Sequence, residues 1–126
     1  MITKCFFCNR TQFKELSSNK SAYAIYDKYP VFPGHVLIIT KRHISSWFDV
    51  STDEKLDILA MIDSAKKILD LNFKPDGFNI GINDGIEAGQ SIPHLHIHLI
   101  PRYKNDIQKK KGGIRWVNPA KAEYWD

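Results

Sequence analysis

"SIPHLHIHLIPR", residues 91–102, decides how this chain is read. Three of its five histidines, His94, His96 and His98, alternate there with Leu95, Ile97 and Leu99. A period of two marks a strand whose faces differ, so the aliphatic set is expected to meet a core and the imidazoles to share the other face. Two residues advance about 6.6 Å, which sets the outer histidines roughly 13 Å apart at their α-carbons. Imidazole nitrogen binds a metal at about 2 Å. Neighbouring histidines can share an ion, but three around one ion would demand a bent strand, so at least one must have a separate task. A neutral imidazole, with an ordinary pKa of about 6.5, is a competent nucleophile once a neighbour fixes its tautomer and aims the free lone pair. Phosphorus is the electrophile suggested by the net charge of +4 and by the loop "EAGQS" (Glu87–Ser91), whose small residues expose backbone amides. The plain alternative is a half-exposed polar face whose histidines only hydrogen-bond.

Outward from this stretch, three more segments read as strands. "SAYAIYD" (Ser21–Asp27) alternates roughly and is rich in aromatics. "HVLIITKR" (His35–Arg42) is almost continuously apolar, as a deeply buried strand should be, and "FNIGIND" (Phe78–Asp84) alternates Phe78, Ile80 and Ile82 with Asn79, Gly81 and Asn83. "KYPVFPG" (Lys28–Gly34) breaks the first two apart with prolines and glycine. One long helix is predicted between "HVLIITKR" and "FNIGIND". Ser51 and Glu54 form a capping box, Leu56, Leu59, Ile62, Ala65, Ile68 and Leu69 follow at helical spacing, and "KPDG" (Lys74–Gly77) ends it. Strands in succession around one helix, without β-α alternation, predict an α+β fold with an antiparallel sheet of about five strands.

The chain has 126 residues, 43% of them hydrophobic, which suits one domain spanning 1–126 with residues 103–126 as an irregular tail. No apolar run approaches the ~20 residues needed to cross a bilayer, and "MITKCFFCNR" lacks the apolar centre of a signal peptide, so a cytoplasmic protein with no membrane partner is expected. Eighteen Lys plus Arg against 14 Asp plus Glu is too mild an excess for duplex nucleic acid as a partner. The dense basic cluster "KKKGGIR" (Lys109–Arg115) reads as a solvated loop or as a phosphate contact. Cys5 and Cys8 make one C-x-x-C, which in a reducing compartment suggests metal or redox chemistry. No glycine-rich loop of the P-loop type appears, which argues against an ATPase or kinase of that class.

His94-Leu95-His96-Ile97-His98-Leu99-Ile100, together with Gly89-Gln90-Ser91, Asn83, "PGHVLIITKRH" (Pro33–His43) and "IYD" ending at Asp27, resembles the histidine triad (HIT) family over about residues 5–102. The resemblance implies a nucleotide hydrolase or transferase acting on nucleoside phosphoramidates or on dinucleoside polyphosphates such as diadenosine tetraphosphate. It implies that His96 attacks the α-phosphorus to give a covalent nucleotidyl-histidine. By the same likeness His98 hydrogen-bonds its ring, and His35 lies close to the α-phosphate. Gly89, Gln90 and Ser91 contact phosphate beside Asn83, and Asp27 accepts from ribose hydroxyls. Phe6, Phe7 and Ile25 form the wall of a base pocket for a purine nucleotide such as an AMP conjugate, or are plain core. The cysteine pair reads as a redox pair, as two inert buried thiols, or as half of a structural zinc site completed by His43 and His94, an arrangement some members of the family carry. The resemblance also implies a homodimer with the two sheets joined, for which exposed aromatics such as Trp47, Trp116 and Trp125 would supply a surface. Two other functions fit the residues: a metal-dependent hydrolase with His94 and His96 as ligands to a catalytic ion, and a nucleotide-binding module without turnover.

Overall fold

The computed structural model describes residues 5–125, so the two ends of the 1–126 domain lie outside the described residues. Five strands form one sheet: β1 (Ser17–Ser18), β2 (Ala22–Tyr26), β3 (Val36–Thr40), β4 (Gly77–Gly81) and β5 (His96–Arg102). Their order is β1-β2-β3-β5-β4, and every neighbouring pair is antiparallel, as an α+β reading requires. β3 sits at the centre and all five of its residues are buried. This explains its unbroken apolar sequence, because both of its faces are covered.

Helix α1 (Thr52–Asn72) packs on one face. The Ser51 hydroxyl accepts from the Glu54 amide and the Glu54 carboxylate accepts from the Ser51 amide, which completes the predicted capping box. Glu54 also takes a forked pair of hydrogen bonds from Arg42, at 2.7 and 3.1 Å, tying the helix start to the segment after β3. That guanidinium holds the Glu54 carboxyl well below the usual carboxylate range. Ser51→Ala should lower the unfolding free energy by about 1 kcal/mol in urea titrations while leaving the site chemistry untouched.

The buried stripe of α1 differs from the expected one. Ile58, Met61, Ala65 and Leu69 are buried against Ala22, Ala24, Val36, Ile38, Leu95, Ile97 and Leu99, whereas Leu56 and Leu59 are exposed. Two apolar stripes interleave on this helix, and the sheet's orientation selects one. The opposite face of the sheet carries a smaller cluster of Phe7, Tyr23, Ile25, Leu37 and Ile39.

Gly34 has φ +87°, and a side chain there would meet Phe73 and Leu69 at 3.1–3.2 Å, so the turn into His35 requires glycine twice over. The tail contains a 3₁₀ turn (Gly113–Val117) and one short helix, α2 (Pro119–Ala122). Lys109, Lys111 and Arg115 of its basic cluster are exposed, as a solvated loop requires. Lys110 donates to the carbonyls of Tyr103 and Lys104, and Arg115 to those of Ala122 and Lys121, so both cations stitch the tail together. The tryptophans are not open either. Trp47 packs on the core under Lys55, Trp116 donates to the Lys111 carbonyl, and Trp125 lies against Gly112.

Candidate functional site

Register builds the site. Ile25, Leu37 and His98 lie side by side across β2, β3 and β5, with Gly81 beyond on β4; Tyr23, Ile39 and His96 form the next row. These residues share the face away from α1. His35 stands just before β3, and the Asp27 amide donates to its carbonyl, so both join this face. A cavity of about 830 Å³ covers it, within the size that encloses a small organic ligand. Asp27, His35, Asn83, Ser91, His96 and His98 supply part of its polar lining, and Phe6, Phe7 and Ile25 part of its apolar wall. Phe7 and Ile25 are therefore both core and wall. Gly89 and Gln90 are outside the lining. The Gln90 amide straps its own loop, accepting from Gly85 and donating to the carbonyls of Ser45 and Ile92.

The hydrogen bonds fix three imidazole tautomers. His96 Nδ1 lies 2.8 Å from the His94 carbonyl oxygen, so Nδ1 carries the proton and donates. The lone pair is then on Nε2. His35 Nδ1 accepts from the Val31 amide at 3.1 Å, which places its proton on Nε2, 2.9 Å from His98 Nδ1 and 3.4 Å from an Asp27 oxygen. His98 Nδ1 therefore accepts, and its own proton is on Nε2. The cavity face presents one bare nitrogen, His96 Nε2, and one N–H, His98 Nε2, on rings 5.3 Å apart. The bond expected between His98 and the ring of His96 is replaced by two others: a main-chain carbonyl holds His96, and His35 holds His98.

Burial pushes His98 down to about 4, with His96 and His35 acting in the same direction and Asp27 against it. Burial also lowers His35, opposed by Asp27. Both rings are thus neutral near pH 7. Unfolded, His98 takes up a proton near its ordinary 6.5; folded, it resists until about 4. Its contribution to stability is fully present above about 6.5 and declines as pH falls through that window. The melting temperature should drop between pH 6.5 and 4, and His98→Asn should make that drop shallower in a thermal-shift pH series.

His94 has left the strand. It lies in the bend before β5, directly after Pro93, and its Nε2 donates to the Thr40 carbonyl at 2.8 Å. Its Nδ1 lone pair points at Cys5 Sγ (3.2 Å), Cys8 Sγ (3.5 Å) and His43 Nδ1 (3.2 Å), and Cys8 Sγ is 3.2 Å from His43 Nδ1. All four donor atoms lie within 4.8 Å of one another. A tetrahedral ion with Zn–S of about 2.3 Å and Zn–N of about 2.0 Å needs donor separations of roughly 3.3–3.8 Å, so the set is close to the right size. The His94 N–H on a carbonyl is also the support that metal-bound histidines have. Among the described residues Asp27, His35 and His98 gather as tightly. Their tautomers argue otherwise, because His35 Nε2 is protonated and its Nδ1 is engaged by Val31. A catalytic ion held by His94 and His96 does not fit this structure: His94 offers its lone pair to the cysteines, and His96 belongs to neither donor group among the described residues.

Several supporting groups have no signature in the sequence. The Val31 amide and the carbonyls of Thr40 and His94 are main-chain atoms. Tyr23, fully buried, donates its hydroxyl to the Phe7 carbonyl and so anchors the cavity wall. Gln12, Phe13, Lys14, Leu16 and Leu37 also belong to the lining; Leu37 follows His35 at the strand period.

A family model, the HIT domain, matches residues 12–105. The bis(5′-nucleosyl)-tetraphosphatase (asymmetrical) of Schizosaccharomyces pombe is 36% identical over 90 residues, covering 71% of this chain and 50% of the relative. The bis(5′-adenosyl)-triphosphatase of Saccharomyces cerevisiae is 40% identical over 110 residues, covering 86% of this chain and 50% of the relative. The chain thus spans half the length of each. A zinc-bound histidine triad family protein from Mycobacterium smegmatis superposes with a TM-score of 0.74 at 28% identity, covering 82% of this chain and 78% of that one.

Proposed function

The chain belongs to the HIT domain family, and on that premise we propose that it hydrolyses dinucleoside polyphosphates at an α-phosphorus, as the names of its phosphatase relatives suggest. The observation that carries this reading is the lone pair of His96 Nε2, aimed into the cavity by the Nδ1–H bond to the His94 carbonyl. His96 Nε2 attacks the α-phosphorus. A P–N bond forms as the P–O bond to the distal phosphates breaks, and that oxygen leaves with its electron pair. Water then attacks the same phosphorus, its oxygen replacing Nε2, and nucleoside monophosphate departs while the ring recovers its lone pair. His98 Nε2–H donates to a nonbridging oxygen, where charge builds in the transition state. Ser91 and Asn83 line the same corner. Asp27 Oδ1 accepts from the Tyr29 amide at 2.8 Å, and its other oxygen is available to a ribose hydroxyl as well as to His35.

Cys5, Cys8, His43 and His94 would hold zinc, which ties the N-terminal segment to the start of β5 without taking part in the reaction. The protein works in the cytoplasm, where both thiols stay reduced. As one domain, tail included, it pairs with a second copy through β4, an edge strand whose Ile80 is 55% exposed; sedimentation velocity reads that state.

The test is a panel of diadenosine polyphosphates and adenosine phosphoramidates, with products separated by anion exchange. Release of AMP from the polyphosphates is the expected result. Tight binding without cleavage across the whole panel would leave only a nucleotide-binding module.

A further inference from the structure

The cavity extends well past the histidines. From β5 it crosses β3 and β2 toward β1, two to three strand spacings, or about 10–14 Å. That is the direction in which a nucleoside must lie if its α-phosphate meets His96, since Ile25 and Leu37 floor the route. At the far end stand Gln12 and Lys14, on the segment leading into β1, beside the rings of Phe6 and Phe13. Gln12 Nε2 donates to the Phe6 carbonyl at 2.8 Å, which fixes the amide and leaves Oε1 as its acceptor. Lys14 offers only donors. Both residues line the apolar slot, so together they offer an acceptor and a donor to a ring edge that carries the reverse pair.

We propose that Gln12 and Lys14 select adenine: the exocyclic amine donates to Gln12 Oε1, and the ring N7 accepts from Lys14 Nζ. The inference rests on the nucleotide reading above and adds the base to it. Guanine and hypoxanthine present a carbonyl oxygen where adenine has its amine, so they would set one lone pair against another at Gln12. Exclusion of a base that leaves a polar group unpaired is the usual source of strong discrimination.

Calorimetric titration of the protein with AMP and with IMP tests this, because the two differ at that one edge. AMP is expected to bind about tenfold more tightly. In Gln12→Ala the ratio falls close to one through weaker AMP binding. Lys14→Met weakens both nucleotides alike, since N7 is common to them. The ratio guards against indirect damage, because a disturbed Phe6 wall would weaken both and leave the preference intact. Equal binding by the native protein, or a preference that survives Gln12→Ala, overturns the base assignment while the nucleotide reading stands. Failure of both nucleotides to bind removes the two together.

Discussion

Replacing His96 with alanine is expected to reduce turnover of diadenosine polyphosphates by about 10⁴-fold or more, with binding of AMP changed by only a few-fold. The two effects separate because the ring supplies one thing that no neighbour can. Its Nε2 is the bare imidazole nitrogen on the cavity side of β5; His98 turns an N–H to the same space, and His35 has both nitrogens engaged. Removing the ring leaves the wall of Phe6, Phe7 and Ile25, the His98 donor and Asp27 in place, so the groups to which nucleotide binding is assigned under the proposed function persist. His98→Ala should behave differently, since the oxygen it contacts is present in the bound ground state as well as the transition state. Steady-state kinetics on both variants, with rapid quenching of the native enzyme in alkaline detergent to preserve the acid-labile P–N bond of a nucleotidyl group on His96, make the comparison. An active His96→Ala protein would exclude the covalent route.

Side-chain pattern carried most of the architecture, and main-chain atoms carry most of what was hidden. The nearly continuous apolar run "VLIIT" read as a deeply buried strand, as it is, and Ser51 with Glu54 marked the helix start to the residue. The strand spacing also called for at least one triad histidine with a separate task, and His94, in the bend directly after Pro93, turns to the cysteines. The buried stripe of α1 was not legible. Leu56 and Leu59 are as apolar as Ile58 and Met61, and only the docked sheet decides between them. The tautomers were hidden as well, since the atoms that fix them are the Val31 amide and the carbonyls of His94 and Thr40, to which any residue type can contribute. β1, a two-residue strand, is too short for any periodicity to show.

Stripping metal from the four-donor cluster is expected to lower the melting temperature by roughly 10 °C, the shift that goes with a loss of about 3 kcal/mol in a domain of this size. The effect should reach the cavity face around His96 through two physical links. His94 offers its Nδ1 to the cluster while its main-chain oxygen holds the proton of His96, so a His94 released from the cysteines no longer pins that oxygen. Phe7 lies between the two cysteines in sequence, and its ring packs on both histidines, at centroid distances of 5.9 Å from His94 and 5.1 Å from His96. Loosening residues 5–8 therefore loosens the wall against which His96 sits. Cys8→Ser, which exchanges a thiolate for a weak ligand, should purify without zinc, melt at the lower temperature, and show no further decrease with chelator. Its affinity for AMP should fall as well, because Phe6 and Phe7 belong to the cavity wall. The readings are zinc content by mass spectrometry, melting temperature with and without chelator, and calorimetric AMP binding. Native protein that carries no stoichiometric zinc, and whose melting temperature ignores chelator, would reduce the cluster to four side chains that merely pack together.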